Sequence, residues 1–487
     1  MVRQVSWTLA PQCDSIRLGE SARALGLVDR VIQMDVLLIN PPREVPQKAD
    51  FPPVGLAYIS ALLKKNGISS CVVDAVACSR KELARIIESK RPAIVGITCW
   101  TMERGEAFKT AEQVKQLCPA ARIIVGGHHA TAFPENMFSQ MHADAVVIGE
   151  GEETTLELVR ALLGGTSLAS VNGIAWLDNV VRVNQPRPFT LDLDALPYPD
   201  YSDLDLNDYL GIPDAKGIAA SIMTSRGCPH QCVFCSAGSF WKRKWRARTA
   251  ENVIGEIEWL YRERRVRNFS FFDDNFTVRK GRAIEICRGI IDRKLSINWV
   301  ASSHVTHVDE EVLYWMKKSG CFRVDFGVES GSPAVLRNIQ KGQTVEQIEK
   351  AFALVHAAGI KPRAYLLVGS PGETEETIDE TIALMKKIRP YYSRTATITL
   401  VFPGTALYDQ AKRCGLLDDG FWLKSNDTLC YTCEHPQEEL DHLKERLMRG
   451  LALNDNTFMA RLEFIVRKIY YRYPALQKLR RFRRIFK

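Results

Sequence analysis

Cys228-Pro229-His230-Gln231-Cys232-Val233-Phe234-Cys235 places three thiols within eight residues. A strand-like run at 218–225 leads into it through Arg226-Gly227. Such a loop bends back around one object, and three thiolates around one object define a metal centre with an incomplete ligand set. Two centres fit the residues. An iron–sulfur cube takes four ligands, so three thiols leave one iron open to another group. Structural zinc also takes four, and His230 inside the loop is available as the fourth.

The spacing Cys-x3-Cys-x2-Cys, with the aromatic Phe234 before the third cysteine, resembles the signature of the radical S-adenosylmethionine (SAM) superfamily. The resemblance implies that Cys228, Cys232 and Cys235 hold a [4Fe–4S] cluster. It implies that SAM fills the open iron and is cleaved to methionine and a 5′-deoxyadenosyl radical. Phe234 then lies near the adenine.

Downstream, six strand–helix units follow. Strands are predicted near 218–225, 268–273, 297–303, 322–328, 362–368 and 395–402, with helices at 251–264, 279–293, 309–319, 344–358 and 375–388. Regular β/α repetition predicts a parallel barrel or part of one. Its chemistry sits at the carboxyl ends of the strands. Six units resemble the (β/α)6 partial TIM barrel of the radical SAM fold. Phe271-Phe272-Asp273-Asp274-Asn275 ends the second strand, and acidic groups there suit an ammonium. In the family this position contacts the methionyl part of SAM, which assigns Asp273 and Asp274. Either Asp274 or Asn275 is also a turn or capping residue. Gly327-Val328-Glu329-Ser330 ends the fourth strand, and the family uses its Glu on the ribose hydroxyls, so Glu329 and Ser330 are SAM candidates. Gly369 opens the loop after the fifth strand and permits close approach to SAM or substrate; Glu373 in the same loop reads as a cap on the next helix. His304, after the third strand, is a candidate proton-handling group or a structural one, and no catalytic residue is assigned with it.

Upstream, apolar runs at 36–39, 71–73, 94–98, 122–125 and 145–148 alternate with helical segments at 56–65, 80–89, 105–117 and 153–163. Continuous apolar strands between amphipathic helices predict a parallel sheet covered on both faces. The expected fold is a flavodoxin-like, Rossmann-type doubly wound sheet with ligands beyond its carboxyl ends. Those ends carry Thr98, Trp100, Gly126-Gly127-His128-His129 and Gly149-Glu150-Gly151, and Pro53 and Gly55 open the first helix. Together they resemble the cobalamin-binding domain that precedes many radical SAM domains. The resemblance implies that Pro53, Gly55, Thr98, Trp100, Gly126, Gly127, His129, Gly149, Glu150 and Gly151 cradle cobalamin. No Asp-x-His-x-x-Gly motif follows the first strand, so no cobalt ligand is named.

The expected organisation is an extension (1–33), a cobalamin-binding domain (34–180), a proline-punctuated linker (181–215), a radical SAM barrel (216–425) and a helical C-terminal region (426–487). Thirteen scattered cysteines, with no apolar run of membrane-spanning length and no signal-peptide pattern, point to a reducing cytoplasm and not to a disulfide framework. The net charge of +8 is local: residues 461–487 hold ten Lys/Arg and one acid, leaving the rest near neutral and giving no sign of a nucleic-acid partner. After Pro474, apolar residues recur at helical spacing among the basic ones, which reads as packing on the barrel or as a peripheral membrane contact. Cys430 and Cys433 form a Cys-x-x-Cys pair too isolated for a second cluster.

The resemblance implies a cobalamin-dependent radical SAM enzyme that methylates an unactivated carbon of a small molecule, a hydrophobic one if the tail meets a membrane. A reductant protein such as flavodoxin or ferredoxin supplies the electron. The same architecture also serves ring closure and rearrangement, as in an anaerobic magnesium-protoporphyrin monomethyl ester cyclase. A non-catalytic metal- or cobalamin-binding protein is the alternative outside enzymology.

Overall fold

Five apolar runs build the first sheet: β1 (Val36–Asn40), β2 (Ser70–Asp74), β3 (Ile94–Thr98), β4 (Arg122–Gly126) and β5 (Ala145–Val147). The computed structural model describes residues 34–418 and 420–454, so the extension before Met34 and the basic tail lie outside the described residues. The five strands are parallel in the order β2-β1-β3-β4-β5. This is the doubly wound, flavodoxin-like order, and its switch point falls between β1 and β3. Nearly every strand residue is buried, because helices cover both faces: Val54–Lys65 and Glu152–Gly164 against one, Arg80–Lys90, Arg104–Leu117 and Pro134–Met141 against the other. Ser79 and Glu82 form a capping box that starts one of these helices.

Beyond the five strands the sheet continues as an antiparallel hairpin, β6 (Ile174–Asp178) and β7 (Val180–Val183), beside β5. Val180, Arg182 and Val183 are exposed, as suits an edge strand, and the arginine interrupts the apolar run, so the segment does not read as core in sequence.

The second sheet curls as a half-barrel of six parallel strands: β8 (Ala219–Ile222), β11 (Asn268–Phe271), β12 (Asn298–Ser303), β13 (Cys321–Glu329), β14 (Lys361–Val368) and β15 (Tyr392–Ile398), in that spatial order. Between β8 and β11 lies a short antiparallel ribbon, β9 (Ser225–Arg226) with β10 (Arg246–Ala247). Helices Ala250–Glu263, Lys280–Asp292, Glu310–Lys318, Val345–Ala357 and Glu375–Ile388 cover its outside, each within two residues of the predicted limits. Trp299, Phe269, Phe326 and Phe352 fill the layer between strands and helices.

Helix Gln437–Asn454 belongs to this core as well, since Leu443, Leu447 and Leu451 join the same apolar cluster as Ile378 and Ile382. The segment before it reaches back to the first domain. Arg104, fully buried, donates to the carbonyls of Ser425 and Asp427, both at 2.7 Å, and lies over the Trp422 ring. Cys414 and Cys433 are joined as a disulfide in this segment, with Cα atoms 6.1 Å apart. The expectation of free thiols is corrected for this pair, and Cys430 alone of the Cys-x-x-Cys stays free. Residues 19 apart meet here only because the chain turns through the Trp422 helix.

Candidate active site

The cysteine loop is framed by the β9–β10 ribbon, which brings both ends of residues 226–246 together. Gly227 has φ +86°, and a Cβ there would collide with the Lys244 carbonyl oxygen, so the turn into Cys228 needs glycine. All three thiols are partly buried. Burial pushes the Cys228 thiol up to about 11 and raises Cys232 and Cys235. Ligation by iron reverses that preference, because a bound metal holds the thiolate. His230 does not turn toward the thiols as a zinc ligand would; its ring stacks on His304 with centroids 3.9 Å apart.

His304 is buried, and both ring nitrogens are engaged: one meets the Thr306 hydroxyl at 2.7 Å, the other the Lys341 carbonyl at 3.1 Å. Burial lowers its pKa to about 3, so it sits as neutral imidazole that donates to Lys341. This geometry makes it a support for the Lys341 segment. Asn275 braces the same region, meeting His307 at 2.9 Å and accepting from the His304 backbone.

Lys341 went unread in the sequence. Its Nζ donates to Glu329 Oε1 at 2.7 Å and lies 5.8 Å from the Phe234 ring. Burial works against its charge, but the Glu329 carboxylate, with Cys232 and Cys235 beside it, outweighs this and holds the ammonium above its ordinary range. Glu329 itself ends β13 at φ +64°, a left-handed conformation that is strained for a side chain of this size. Ser330 turns away to Thr381. Gly369 makes its close approach to Leu440 of the last helix: a Cβ there would strike that side chain. Glu373 accepts from the backbone N–H groups of Gly369 and Ser370, while Thr374 caps the helix; the capping role expected for Glu373 is corrected. Burial pushes Glu373 up to about 7.

Asp273 and Asp274 stand in the wall of the main cavity. Asp273 accepts from the Thr224 hydroxyl at 2.9 Å and from Ser225. Burial, reinforced by Asp273, pushes Asp274 up to about 6.

The cavity, of about 950 Å³, runs from the carboxyl ends of β1, β3 and β4 into the open half-barrel. Of the residues expected at cobalamin, Pro53, Gly55, Thr98, Trp100, Gly126, Gly127, Gly149 and Gly151 line it. A Cβ at Gly55 or Gly149 would meet no protein atom within 4 Å, so these glycines leave space for a ligand. His129 and Glu150 lie elsewhere. His129 is buried against Phe133 and Trp422, 3.3 Å from the Thr101 hydroxyl. Glu150 accepts from Arg226 at 2.7 Å and from Arg246 at 3.0 Å, and Glu152 takes the other arm of Arg226 at 2.5 Å. This buried set of two arginines and two glutamates ties the end of β5 to the first residue before the cysteine turn. In sequence Glu150 reads as a cobalamin-cradling residue, and the set itself is not legible, because its partners lie more than seventy positions apart.

The site thus offers three thiols, a glycine-lined space and a wall of carboxylates, which suit a cluster, a large planar ligand and an ammonium. Models of two families match the chain: the radical SAM superfamily over residues 222–385 and the B12 binding domain over residues 47–159. An uncharacterized methyltransferase, PH0819, of Pyrococcus horikoshii is 35% identical over 447 residues, covering 90% of this chain and 95% of that protein. The anaerobic magnesium-protoporphyrin IX monomethyl ester cyclase of Rubrivivax gelatinosus is 33% identical, over 72% of this chain and 64% of its own.

Among solved structures, the cobalamin-dependent SAM radical enzyme OxsB, with aqua-cobalamin and SAM bound, matches with a TM-score of 0.71 at 17% identity, covering 90% of this chain and 71% of that one. The radical SAM methyltransferase TsrM of Kitasatospora setae matches with a TM-score of 0.67 at 21% identity, over 78% and 76%. These two share the fold. The chain belongs to the radical SAM superfamily, in the group that carries a B12-binding domain ahead of the barrel. Its cofactors are a [4Fe–4S] cluster, SAM and cobalamin.

Proposed function

We propose that this radical SAM enzyme is a cobalamin-dependent methyltransferase acting on an unactivated carbon. The observation that carries the reading is that one cavity has in its wall both the glycine turns of the first domain and the strand ends of the barrel. Two cofactor sites opening on one space leave room for a substrate between them. When bound, the cofactors supply reductive cleavage of SAM and methyl transfer. The protein's part is placement. Cys228, Cys232 and Cys235 would hold the cluster. Asp273 and Asp274 would face the SAM ammonium, and Glu329 its ribose, with Lys341 holding the Glu329 carboxylate in place. Gly55, Gly126, Gly127 and Gly149 would let the first domain close on the corrin. The Arg226–Glu150–Glu152–Arg246 set would keep the two sites at a constant separation.

The test is anaerobic reconstitution followed by dithionite reduction. Formation of 5′-deoxyadenosine, with a product one methyl heavier than its substrate, supports the proposal. Zinc without iron in the purified protein overturns the radical reading. A ring-closing or rearranging enzyme is the second reading, favoured by the likeness to the cyclase; it predicts a product without the methyl gain. A flavodoxin or ferredoxin is the proposed reductant. No helix among the described residues is long and apolar enough to cross a membrane.

A further inference from the structure

The inside of this half-barrel is not filled. In closed barrels bulky branched side chains pack the interior. Here Ser221 of β8, Ser270 of β11 and Ser302 of β12 line the cavity instead. Across from these serines, β13 and β14 turn Arg323, Asp325 and Arg363 into the same space.

Asp325 is fully engaged. Its Oδ1 accepts from Arg323 Nε at 2.8 Å; its Oδ2 accepts from Arg323 Nη2 at 3.3 Å and from Arg363 Nη2 at 2.6 Å. One carboxylate holding two guanidiniums leaves a net positive charge in the wall, where Arg323 and Asp325 are both buried. Arg363 Nε is itself buried and has no hydrogen-bond partner among the described residues. Asp214 also acts on Arg363 and does not cancel this charge. Asp214 is exposed and accepts from Tyr391 at 3.0 Å. Asp273 is held by Thr224 and Ser225. A buried charge with unmet donors is costly unless an acceptor of opposite sign arrives. The planar fork of arginine suits carboxylate and phosphoryl oxygens above other acceptors.

We propose that Arg323 and Arg363, clamped side by side by Asp325, form an anion-recognition pair that seats a carboxylate or phosphoryl group of the substrate inside the barrel. The substrate is then a small acid, held by its charged end with its reacting carbon toward the first domain. That the anion is part of the substrate rests on the radical reading above; anion binding is read without turnover, so the two fail separately.

The experiment is isothermal titration of the reconstituted full chain with inorganic phosphate and, in a separate arm, with acetate. The anion that saturates more tightly names the class. Arg363→Met and Arg323→Met should each weaken that binding by about tenfold, the scale of losing a charged hydrogen bond. Arg267→Met, on the outside of the barrel over the Tyr261 ring, should bind as the parent does. Melting temperature and iron content report whether each variant folds. Should neither methionine variant fold, Arg363→Lys decides, because it keeps the charge and loses the fork: affinity reduced threefold or more supports the proposal, and parental affinity overturns it. No saturable binding of either anion by the parent, or unchanged affinity in a folded Arg363→Met, also overturns it. Anion binding without SAM cleavage sinks the radical reading alone; cleavage without anion binding sinks this one alone.

Discussion

The two ends of the main cavity are built from different materials. The first-domain end is backbone: Gly55, Gly126, Gly127, Gly149 and Gly151, set among apolar strand residues such as Leu38, Ile97 and Val125. The barrel end is charge: Asp273, Asp274, Arg323, Asp325 and Arg363, with the Glu329–Lys341 pair close to the cysteine loop. A backbone wall recognises shape, and a large ligand is held by close approach along its length. Fixed charges away from water recognise small polar groups, and they must bring their own counter-ions because burial penalises each of them singly. Damage should therefore spread differently from the two ends. A glycine replaced in the first domain should disturb one ligand and leave the other alone. A charge removed from the barrel should leave its partner stranded.

Cys232→Ala is the largest test of that separation. Two thiolates are too few for a site-differentiated cube, so SAM cleavage and iron content should fall to background. Cobalamin binding, read from its visible absorbance, should persist. Loss of both together would join the two ends into one unit and break the comparison.

Glu329→Gln comes next. It removes the counter-charge from buried Lys341, which should cost about 3 kcal/mol by urea unfolding, on the scale of breaking a buried pair. SAM affinity should fall in the same variant. Parental stability would mean that Lys341 finds another partner.

Glu373 sharpens the charge end by contrast, since backbone N–H groups hold it where a cation holds Glu329. Its pKa in the fold, about 7, lies above the ordinary 4.5. The folded state therefore keeps this proton more tightly. Its contribution to stability is complete below pH about 4.5 and is lost as pH rises through 7. Glu373→Gln should flatten that fall and leave the variant more stable than the parent at pH 8 by roughly 1–3 kcal/mol. Parallel unfolding curves at pH 5 and pH 8 would refute it.

The glycine end gives smaller effects. Gly127 has φ +106°, and a Cβ would lie 2.8 Å from the Cys99 carbonyl oxygen. Gly127→Ala should cost roughly 1–3 kcal/mol in strain, read as a lower melting temperature. Gly55→Ala should do the reverse. Its Cβ meets nothing within 4 Å and it lies in helix Val54–Lys65, so the variant should gain roughly 0.5–1 kcal/mol. Cobalamin retention should nevertheless fall, because the new methyl enters the space left for it. Full retention would place the ligand away from Gly55.

Much of this protein is determined by local sequence. Ile94–Thr98 and Arg122–Gly126 are strands because an unbroken apolar run can be buried only between two helical layers. Glu375–Ile388 is a helix with the limits read from its period. The cysteine triplet and the strand-end glycines carry their meaning in their spacing, which is why the family was legible before any coordinates. What sequence withheld depends on partners brought together from afar. Lys341 is an ordinary lysine until the turn after β13 sets it on Glu329. Glu150 reads as a cobalamin-cradling residue until Arg226 and Arg246 close on it, and Gly369 as a ligand turn until Leu440 fills the space beside it. The Cys414–Cys433 disulfide and the Arg323–Asp325–Arg363 cluster arise the same way. Periodicity encodes which face of an element is buried. Only the packed chain decides which buried charge meets which, because the strength of such a pair depends on distances that separate elements set.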